Sequence, residues 1–241
     1  MLKKSVRAAV LALALTTLLA SCGGGSLPNY DYEIDMTPYK NAITVTGKVY
    51  LTLVNKQNPC GEEYVPENLA VLPSELTLYG KEIKLEKNAA LALEAMLLEL
   101  SAYGFTDIVA TSGYRDYAYQ QVLFNTYLGK EMKKHPDWSI EACRAEVLTY
   151  SALPGESEHQ TGLCVDLIST KNVVLDESFA ENPAYAWLLE NAHRFGFILR
   201  YPEGKEGTTG YTFEPWHYRF VGAENAARIR DAGVTLEEFL G

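Results

Sequence analysis

The sequence is poor in positive charge, in cysteine and in histidine. Its 241 residues include 21 lysines and arginines against 31 aspartates and glutamates, so the formal net charge at pH 7 is -10. A surface this acidic repels phosphate backbones, which argues against nucleic acid as a partner. It also gives no reason to expect attraction to anionic lipids.

Long apolar runs are scarce, and the one near the amino terminus is too short to span a bilayer. It extends from Ala8 to Ala20 behind a basic head, whereas a membrane-spanning helix needs about 20 apolar residues. The run predicts a signal peptide over residues 1–21. It ends in Leu-Ala-Ser-Cys, which resembles the lipobox of bacterial lipoproteins and predicts a lipid on Cys22. We therefore expect an extracytoplasmic protein anchored to the bacterial membrane.

The four cysteines exclude a disulfide framework. If Cys22 carries the lipid, the other three allow at most one bridge. A bond between Cys60 and Cys143 stays open in an oxidising location, although no feature of their spacing supports it.

The remaining chain has no repeat and no second linker, which predicts a tether over residues 22–39 and one domain over residues 40–241. Strands separated by helices, without a regular beta-alpha-beta repeat, indicate an α+β class. Hydrophobic periodicity and capping residues predict helices over 85–103, 117–128, 137–150, 183–195 and 223–240, and strands over 48–54, 105–111, 163–168, 197–201 and 211–221.

Two short stretches concentrate metal-binding side chains. His159 and Asp166 are an odd number of residues apart, so on one unbroken strand they point to opposite faces. A turn must lie between them, and Gly162 is its expected position because glycine tolerates positive φ. In the second stretch, Pro215 predicts a kink that lets Glu214 and His217 share one side.

These side chains fit a catalytic zinc site. His159, Asp166 and His217 supply three protein ligands and leave a fourth position for water, whereas four protein ligands indicate a structural site. The nitrogen and oxygen donors favour Zn²⁺. Glu214, three residues before a ligand, is placed to take a proton from that water.

Three separated motifs resemble one family. SEHQTGLCVD at residues 157–166, EPWH at residues 214–217, and SGYR at residues 112–115 with Gln120 are similar to the VanY-type D-alanyl-D-alanine carboxypeptidases, which include L,D-carboxypeptidases of the LdcB type. The likeness extends over about residues 50–222. It implies a central, largely antiparallel sheet flanked by helices, with the metal in a groove across the sheet.

The resemblance also implies roles for individual residues. His159, Asp166 and His217 are implied as zinc ligands and Glu214 as the catalytic base, in agreement with the donor chemistry. Substrate contacts are implied for Arg115, Gln120 and Ser157, and a planar guanidinium suits a terminal carboxylate. Cys164 stands where the family usually has alanine, so we interpret it as a small packing residue.

The predicted function is removal of the terminal D-alanine from peptidoglycan stem peptides by a zinc carboxypeptidase. Cleavage at a D,D bond and at an L,D bond are both open. Two further hypotheses are an endopeptidase that cuts inside the wall cross-link and a zinc-stabilised binding module without hydrolysis. Glu214 speaks against the module, because binding alone needs no base beside the metal.

Overall fold

A four-stranded antiparallel sheet forms the centre of the computed structural model, which describes residues 30–241. A separate antiparallel pair, β1 with β2, lies beside it. The order in the central sheet is β3-β4-β6-β5. The strands are β1 (Leu69–Val71), β2 (Lys84–Glu86), β3 (Ile108–Ser112), β4 (Cys164–Ser169), β5 (Phe197–Leu199) and β6 (His217–Phe220). The predicted α+β class and antiparallel sheet are confirmed.

Helices and short 3-10 turns surround this sheet in the described part of the chain. The α-helices are α1 (Lys40–Ile43), α2 (Lys87–Ala102), α3 (Tyr117–Lys134), α4 (Ile140–Tyr150), α5 (Pro183–Asn191), α6 (Glu206–Thr209), α7 (Ala223–Ala232) and α8 (Leu236–Leu240). The 3-10 helices are Lys48–Leu51, Ser74–Leu76, Leu78–Gly80, Glu158–Thr161, Glu177–Glu181 and Ala192–Phe195. None of the helices in residues 30–241 has the length and apolar character that crossing a bilayer requires.

The core lies between α2 and the central sheet. Leu93, Met96 and Leu100 of α2 are fully buried, and they share one apolar cluster with Tyr218 and Phe220 of β6. The apolar spacing predicted a helix with this buried face, and the structure confirms it. Because Asp166 lies within β4 and His217 begins β6, the same core holds these two residues in place.

Capping residues near the ends of the helices show where these helices begin and end. Asp116 caps α3 as predicted, since its Oδ1 accepts a hydrogen bond of 2.7 Å from the amide of Tyr119. The predicted helix over 223–240 is instead two helices. Gly233 ends α7 in the left-handed region at φ 65°, and Thr235 opens α8 with a capping box.

The predicted strand over residues 48–54 is wrong. Residues Lys48–Leu51 form a 3-10 helix. Nη2 of the buried Arg219 donates hydrogen bonds to the carbonyls of Tyr50 and Thr52, at 3.1 and 2.8 Å. Those carbonyls are therefore bonded to a side chain and not to a neighbouring strand. The predicted strand over 211–221 is shorter, because it begins only at His217 after the turn at Pro215.

Of the tether predicted over residues 22–39, the structure describes residues 30–39, and these do not form a free tether. Tyr32, Ile34, Met36 and Tyr39 pack against the main core, so residues 30–39 belong to the domain. The signal peptide over residues 1–21 and the lipidated Cys22 lie outside the described residues, as does the rest of the tether up to residue 29. Cys60, Cys143 and Cys164 are free thiols.

Candidate metal-binding active site

His159 reaches the site from a single 3-10 turn. Gly162 ends that turn at φ 67°, as the sequence predicted, and β4 begins two residues later. The ring is oriented by Gly113, whose carbonyl lies 2.7 Å from His159 Nδ1. A carbonyl only accepts, so Nδ1 carries the proton and Nε2 is left free to bind a metal.

Asp166 and His217 meet across neighbouring strands. They are direct partners in the register of β4 with β6. His217 Nδ1 lies 2.9 Å from Asp166 Oδ1, and His159 Nε2 lies 3.4 Å from Asp166 Oδ2. All three side chains are buried. The fold thus brings together the three donors singled out in the sequence, with a nitrogen of each ring facing the carboxylate, which fits a metal ion in donor type and arrangement.

The thiol of Cys164 lies in the same cluster. It is fully buried, and one donor atom each of His159, Cys164 and His217 lie within 4.8 Å of one another. Cys164 is two residues before Asp166 on β4, so both point to the same face. The residue interpreted as packing is therefore also within reach of the metal donors.

Glu214 lies at the edge of this cluster. Its Oε2 is 3.6 Å from His217 Nδ1, and the side chain is buried. Burial raises the pKa of Glu214 to about 7, with the charge of Asp166 acting in the same direction, although His217, His159 and Arg115 oppose the rise. A carboxyl with a pKa near neutrality is suited to accept and release a proton.

The backbone turn from Glu214 to His217 places this base. The amide of His217 donates to the carbonyl of Glu214 at 3.1 Å, and the amide of Glu214 donates to the carbonyl of Tyr201 at 3.1 Å. Pro215 lies inside the turn, where its missing N–H leaves no bond unmade. The kink expected at Pro215 is thus present as a turn that directs Glu214 and His217 to the same site.

Arg115 and Ser157 lie together beside the donors. Arg115 Nη1 is 3.8 Å from Asp166 Oδ2, and Nη2 donates to Ser157 Oγ at 3.4 Å. The buried Nε of Arg115 has no hydrogen-bond partner among the described residues. The guanidinium therefore keeps donor capacity for a bound carboxylate.

Gln120 is set back from the other predicted substrate residues. Its side chain is buried, its Nε2 donates to the carbonyl of Ala152 at 2.8 Å, and its Oε1 has no partner in the described part of the chain. Ala152 lines the cavity, whereas Gln120 does not. The substrate contacts of Arg115, Gln120 and Ser157 stay predictions.

The donors open into a cavity of about 880 Å³. The sequence interpretation missed most of its wall, which is rich in tyrosine and in exposed carboxylates. These residues come from loops and helices without a recognisable motif. They include Tyr127, Tyr150, Tyr201, Tyr211, Phe213, Asp176, Glu177, Glu181 and Glu203.

Glu158 is a further residue that the sequence interpretation missed. Its Oε1 lies 2.9 Å from His217 Nε2, on the side of the ring away from Asp166. Burial alone raises the pKa of a carboxyl, but Arg200 and Arg219 outweigh it and hold the pKa of Glu158 well below its usual range. An acidic residue directly before His159 was the only signal in the sequence, because both arginines are remote along the chain.

The chain is similar to known carboxypeptidases. Residues 82–223 match the family model described as VanY, D-alanyl-D-alanine carboxypeptidase. The putative carboxypeptidase YodJ of Bacillus subtilis is 38% identical over 192 residues, covering 78% of this chain and 66% of YodJ. A D-alanyl-D-alanine carboxypeptidase of Enterococcus faecalis is 37% identical over 190 residues, covering 79% of this chain and 65% of that protein. The chain thus spans slightly less than two thirds of these curated relatives.

Solved structures show the same fold. The LdcB LD-carboxypeptidase superposes with a TM-score of 0.69 at 36% identity, covering 83% of this chain and 87% of that one. A mutant of the D,D-pentapeptidase VanY from a VanB-type resistance cassette, in complex with Zn(II), gives a TM-score of 0.68 at 34% identity, covering 80% and 99%. The family match includes more than half of the chain and both donor motifs. The chain belongs to the VanY family of D-alanyl-D-alanine carboxypeptidases.

Proposed function

We propose that this protein is a zinc-dependent carboxypeptidase that removes the terminal D-alanine from peptidoglycan stem peptides. The observation that carries the proposal is the convergence of His159, Asp166 and His217, with Glu214 beside them, in the wall of one cavity. The names of its relatives support the substrate class, since one VanY-type structure is a complex with D-alanine-D-alanine.

The metal would be held by His159 Nε2, the carboxylate of Asp166 and His217 Nδ1. Two imidazoles and one carboxylate suit Zn²⁺, and a VanY structure is a Zn(II) complex. When bound at three protein ligands, zinc supplies Lewis acidity and lowers the pKa of water at its open position to about 7.

The chain's own residues supply proton transfer and orientation. Glu214 takes the proton of the attacking water and passes it to the leaving amine of the terminal residue, a task for which its place beside His217 suits it. Arg115 and Ser157 hold the terminal carboxylate, with the guanidinium giving two parallel hydrogen bonds. Gln120 supports this end of the cavity through the carbonyl of Ala152.

The location of the protein is part of the same proposal. A signal peptide over residues 1–21 and a lipid on Cys22 would hold the domain at the outer face of the membrane, where peptidoglycan lies. Labelled palmitate fed to expressing cells should enter the wild-type protein and not a Cys22→Ala variant. Equal labelling of the two proteins would show that Cys22 does not carry the lipid.

Incubation with defined muropeptides followed by mass analysis tests the activity. We expect loss of one terminal D-alanine from pentapeptide or tetrapeptide stems, and the stem that is trimmed identifies the bond as D,D or L,D. Internal cleavage would identify an endopeptidase instead, and unchanged stems a binding module. Chelation of the metal should abolish the reaction.

Glu214→Gln is the diagnostic variant for this reaction. The amide cannot accept the proton, so the rate should fall by about 10²- to 10⁴-fold while zinc still binds. Glu224→Gln removes an exposed carboxylate from α7 and serves as the matched control. A Glu214→Gln enzyme as fast as this control would show that another group is the base.

A further inference from the structure

Glu158 contacts the face of His217 that is turned away from the metal donors. His217 Nδ1 points to Asp166 at 2.9 Å, and His217 Nε2 points to Glu158 Oε1 at 2.9 Å. The ring therefore lies between two carboxylates, one on each nitrogen. Both are buried, with Glu158 1% and Asp166 3% exposed.

With a metal bound at Nδ1, the two ring nitrogens take different roles. An imidazole that binds a metal through Nδ1 needs its remaining proton on Nε2. The ionised Glu158 only accepts, so it is a partner for Nε2–H and for no other neutral form of the ring. A carboxylate in this position selects one tautomer, fixes the ring plane and increases the basicity of the ligand nitrogen.

Two buried arginines hold Glu158 in place. Arg200 Nε and Arg219 Nη1 both donate to Glu158 Oε2, at 2.9 and 3.0 Å, and both guanidinium groups are fully buried. The other oxygen, Oε1, is thereby left for His217. Since Arg219 also donates to three backbone carbonyls and Arg200 to Glu237, neither arginine can move away without breaking other bonds.

The anchoring extends to the carboxyl-terminal helix. Arg200 Nη1 and Nη2 donate to the two oxygens of Glu237 on α8, at 2.8 and 2.6 Å. A continuous chain of charged contacts therefore runs from α8 through Arg200 and Glu158 to His217. Glu237 contacts neither imidazole, which makes it a matched reference for Glu158.

We propose that Glu158 is a positioning residue for the metal site, which orients His217 and keeps the proton on Nε2 so that Nδ1 can bind the ion. The inference rests on the proposed role of His217 as a metal ligand. A purely structural ion pair between Glu158 and the arginines would stabilise the fold without changing metal affinity, and this difference can be measured.

The test compares zinc binding by the full-length wild-type protein, Glu158→Gln, Glu158→Asp and Glu237→Gln. Metal is removed and the zinc dissociation constant is measured by competition with a chromophoric chelator, and the urea midpoint of each metal-free protein is recorded. Glu158→Gln and Glu237→Gln each remove one negative charge beside Arg200, so both should lower the midpoint.

Only the variants at Glu158 should lose zinc affinity. We expect about 10- to 100-fold weaker binding for Glu158→Gln, a smaller loss for Glu158→Asp, and a wild-type constant for Glu237→Gln. Glu158→Asp keeps the charge and decides the question if Glu158→Gln does not fold. Wild-type zinc affinity in the folded Glu158 variants would overturn the inference, and so would an equal loss in Glu237→Gln.

This result is separable from the proposed function. Tight zinc binding that depends on Glu158, in a protein that leaves muropeptides intact, would refute the peptidase activity and leave the inference standing. Cleavage of muropeptides by a protein whose zinc affinity does not depend on Glu158 would support the peptidase activity and refute the inference.

Discussion

Glu214 is a buried carboxyl group, and burial opposes the ionisation that a carboxyl group normally undergoes below neutral pH. Its pKa rises from 4.5 to about 7, chiefly through burial. Between pH 4.5 and pH 7, Glu214 of the metal-free protein therefore keeps its proton in the folded state and has lost it in the unfolded state. The stability that this proton contributes is complete below pH 4.5 and is lost as the pH rises through 7.

Glu214→Gln should expose this linkage, because the amide mimics the neutral acid at every pH. Relative to the wild type, the free energy of unfolding of the metal-free variant should increase by about 2–3 kcal/mol between pH 5 and pH 8. Urea titrations at the two pH values measure it. A difference that does not change with pH would mean that Glu214 ionises normally in the fold.

Cys164 offers sulfur to a site that already has three donors. A fourth protein ligand would close the tetrahedral shell and exclude water, which a hydrolytic site needs at its open position. The carboxylate of Asp166 already lies 2.9 and 3.4 Å from the facing nitrogens of the two imidazoles. We therefore expect Cys164 to stay outside the metal shell.

Cobalt substitution tests this expectation by absorption spectroscopy. The Co²⁺ forms of the wild type and of Cys164→Ala should have the same spectrum, without a sulfur-to-metal charge-transfer band. Cys143→Ala, which removes another buried thiol away from the donors, is the control. A band present in the wild type and missing only in Cys164→Ala would assign the sulfur as a ligand.

At the scale of elements, the end of β3 positions His159. Gly113 follows the last residue of β3, and its carbonyl is 2.7 Å from His159 Nδ1. A Cβ on Gly113 would lie 2.5 Å from the carbonyl oxygen of Lys84 and 2.7 Å from Ile83 Cγ2. The absence of a side chain therefore allows β3 to approach β2 closely enough to place this carbonyl.

Gly113→Ala should weaken both the fold and the metal site. Overpacking of this kind costs about 1–3 kcal/mol, and displacement of the carbonyl frees the ring of His159. Unfolding and zinc-competition measurements should both show a loss. Gly129→Ala on α3 is the control, because an added Cβ there meets no atom within 4 Å and alanine favours a helix. Unchanged zinc affinity in Gly113→Ala would show that the end of β3 does not position His159 for metal binding.

At the scale of the whole molecule, residues 30–39 are part of the domain. The backbone amides of Glu33 and Ile34 donate to the carboxylate of Glu99 on α2, each at 3.1 Å, and Glu99 is 0% exposed. Together with the apolar side chains of this segment, these bonds complete the outer face of α2.

A chain that begins at residue 40 should therefore be less stable than one that begins at residue 30. Its truncation leaves the Glu99 carboxylate without these donors and exposes apolar surface, with a loss of about 3 kcal/mol or more. Urea unfolding of the two chains measures the difference. Equal stability would mean that residues 30–39 are a tether, as the sequence predicted, and not part of the domain.

The sequence determined the features that depend on near neighbours. The cap at Asp116, the turn at Gly162 and the buried face of α2 were all predictable, because capping, positive φ and helical periodicity act over a few residues. The donor types at His159, Asp166 and His217 also indicated a metal before any distance was known.

Only the tertiary structure decided how distant residues act together. Glu158 receives hydrogen bonds from arginines 42 and 61 residues away. Arg219 also donates to the carbonyl of Tyr50, in a segment that forms a 3-10 helix and not the expected strand. Such contacts depend on which surfaces the fold brings together. No local pattern encodes them, because burial makes each charged group depend on partners that the chain supplies from elsewhere.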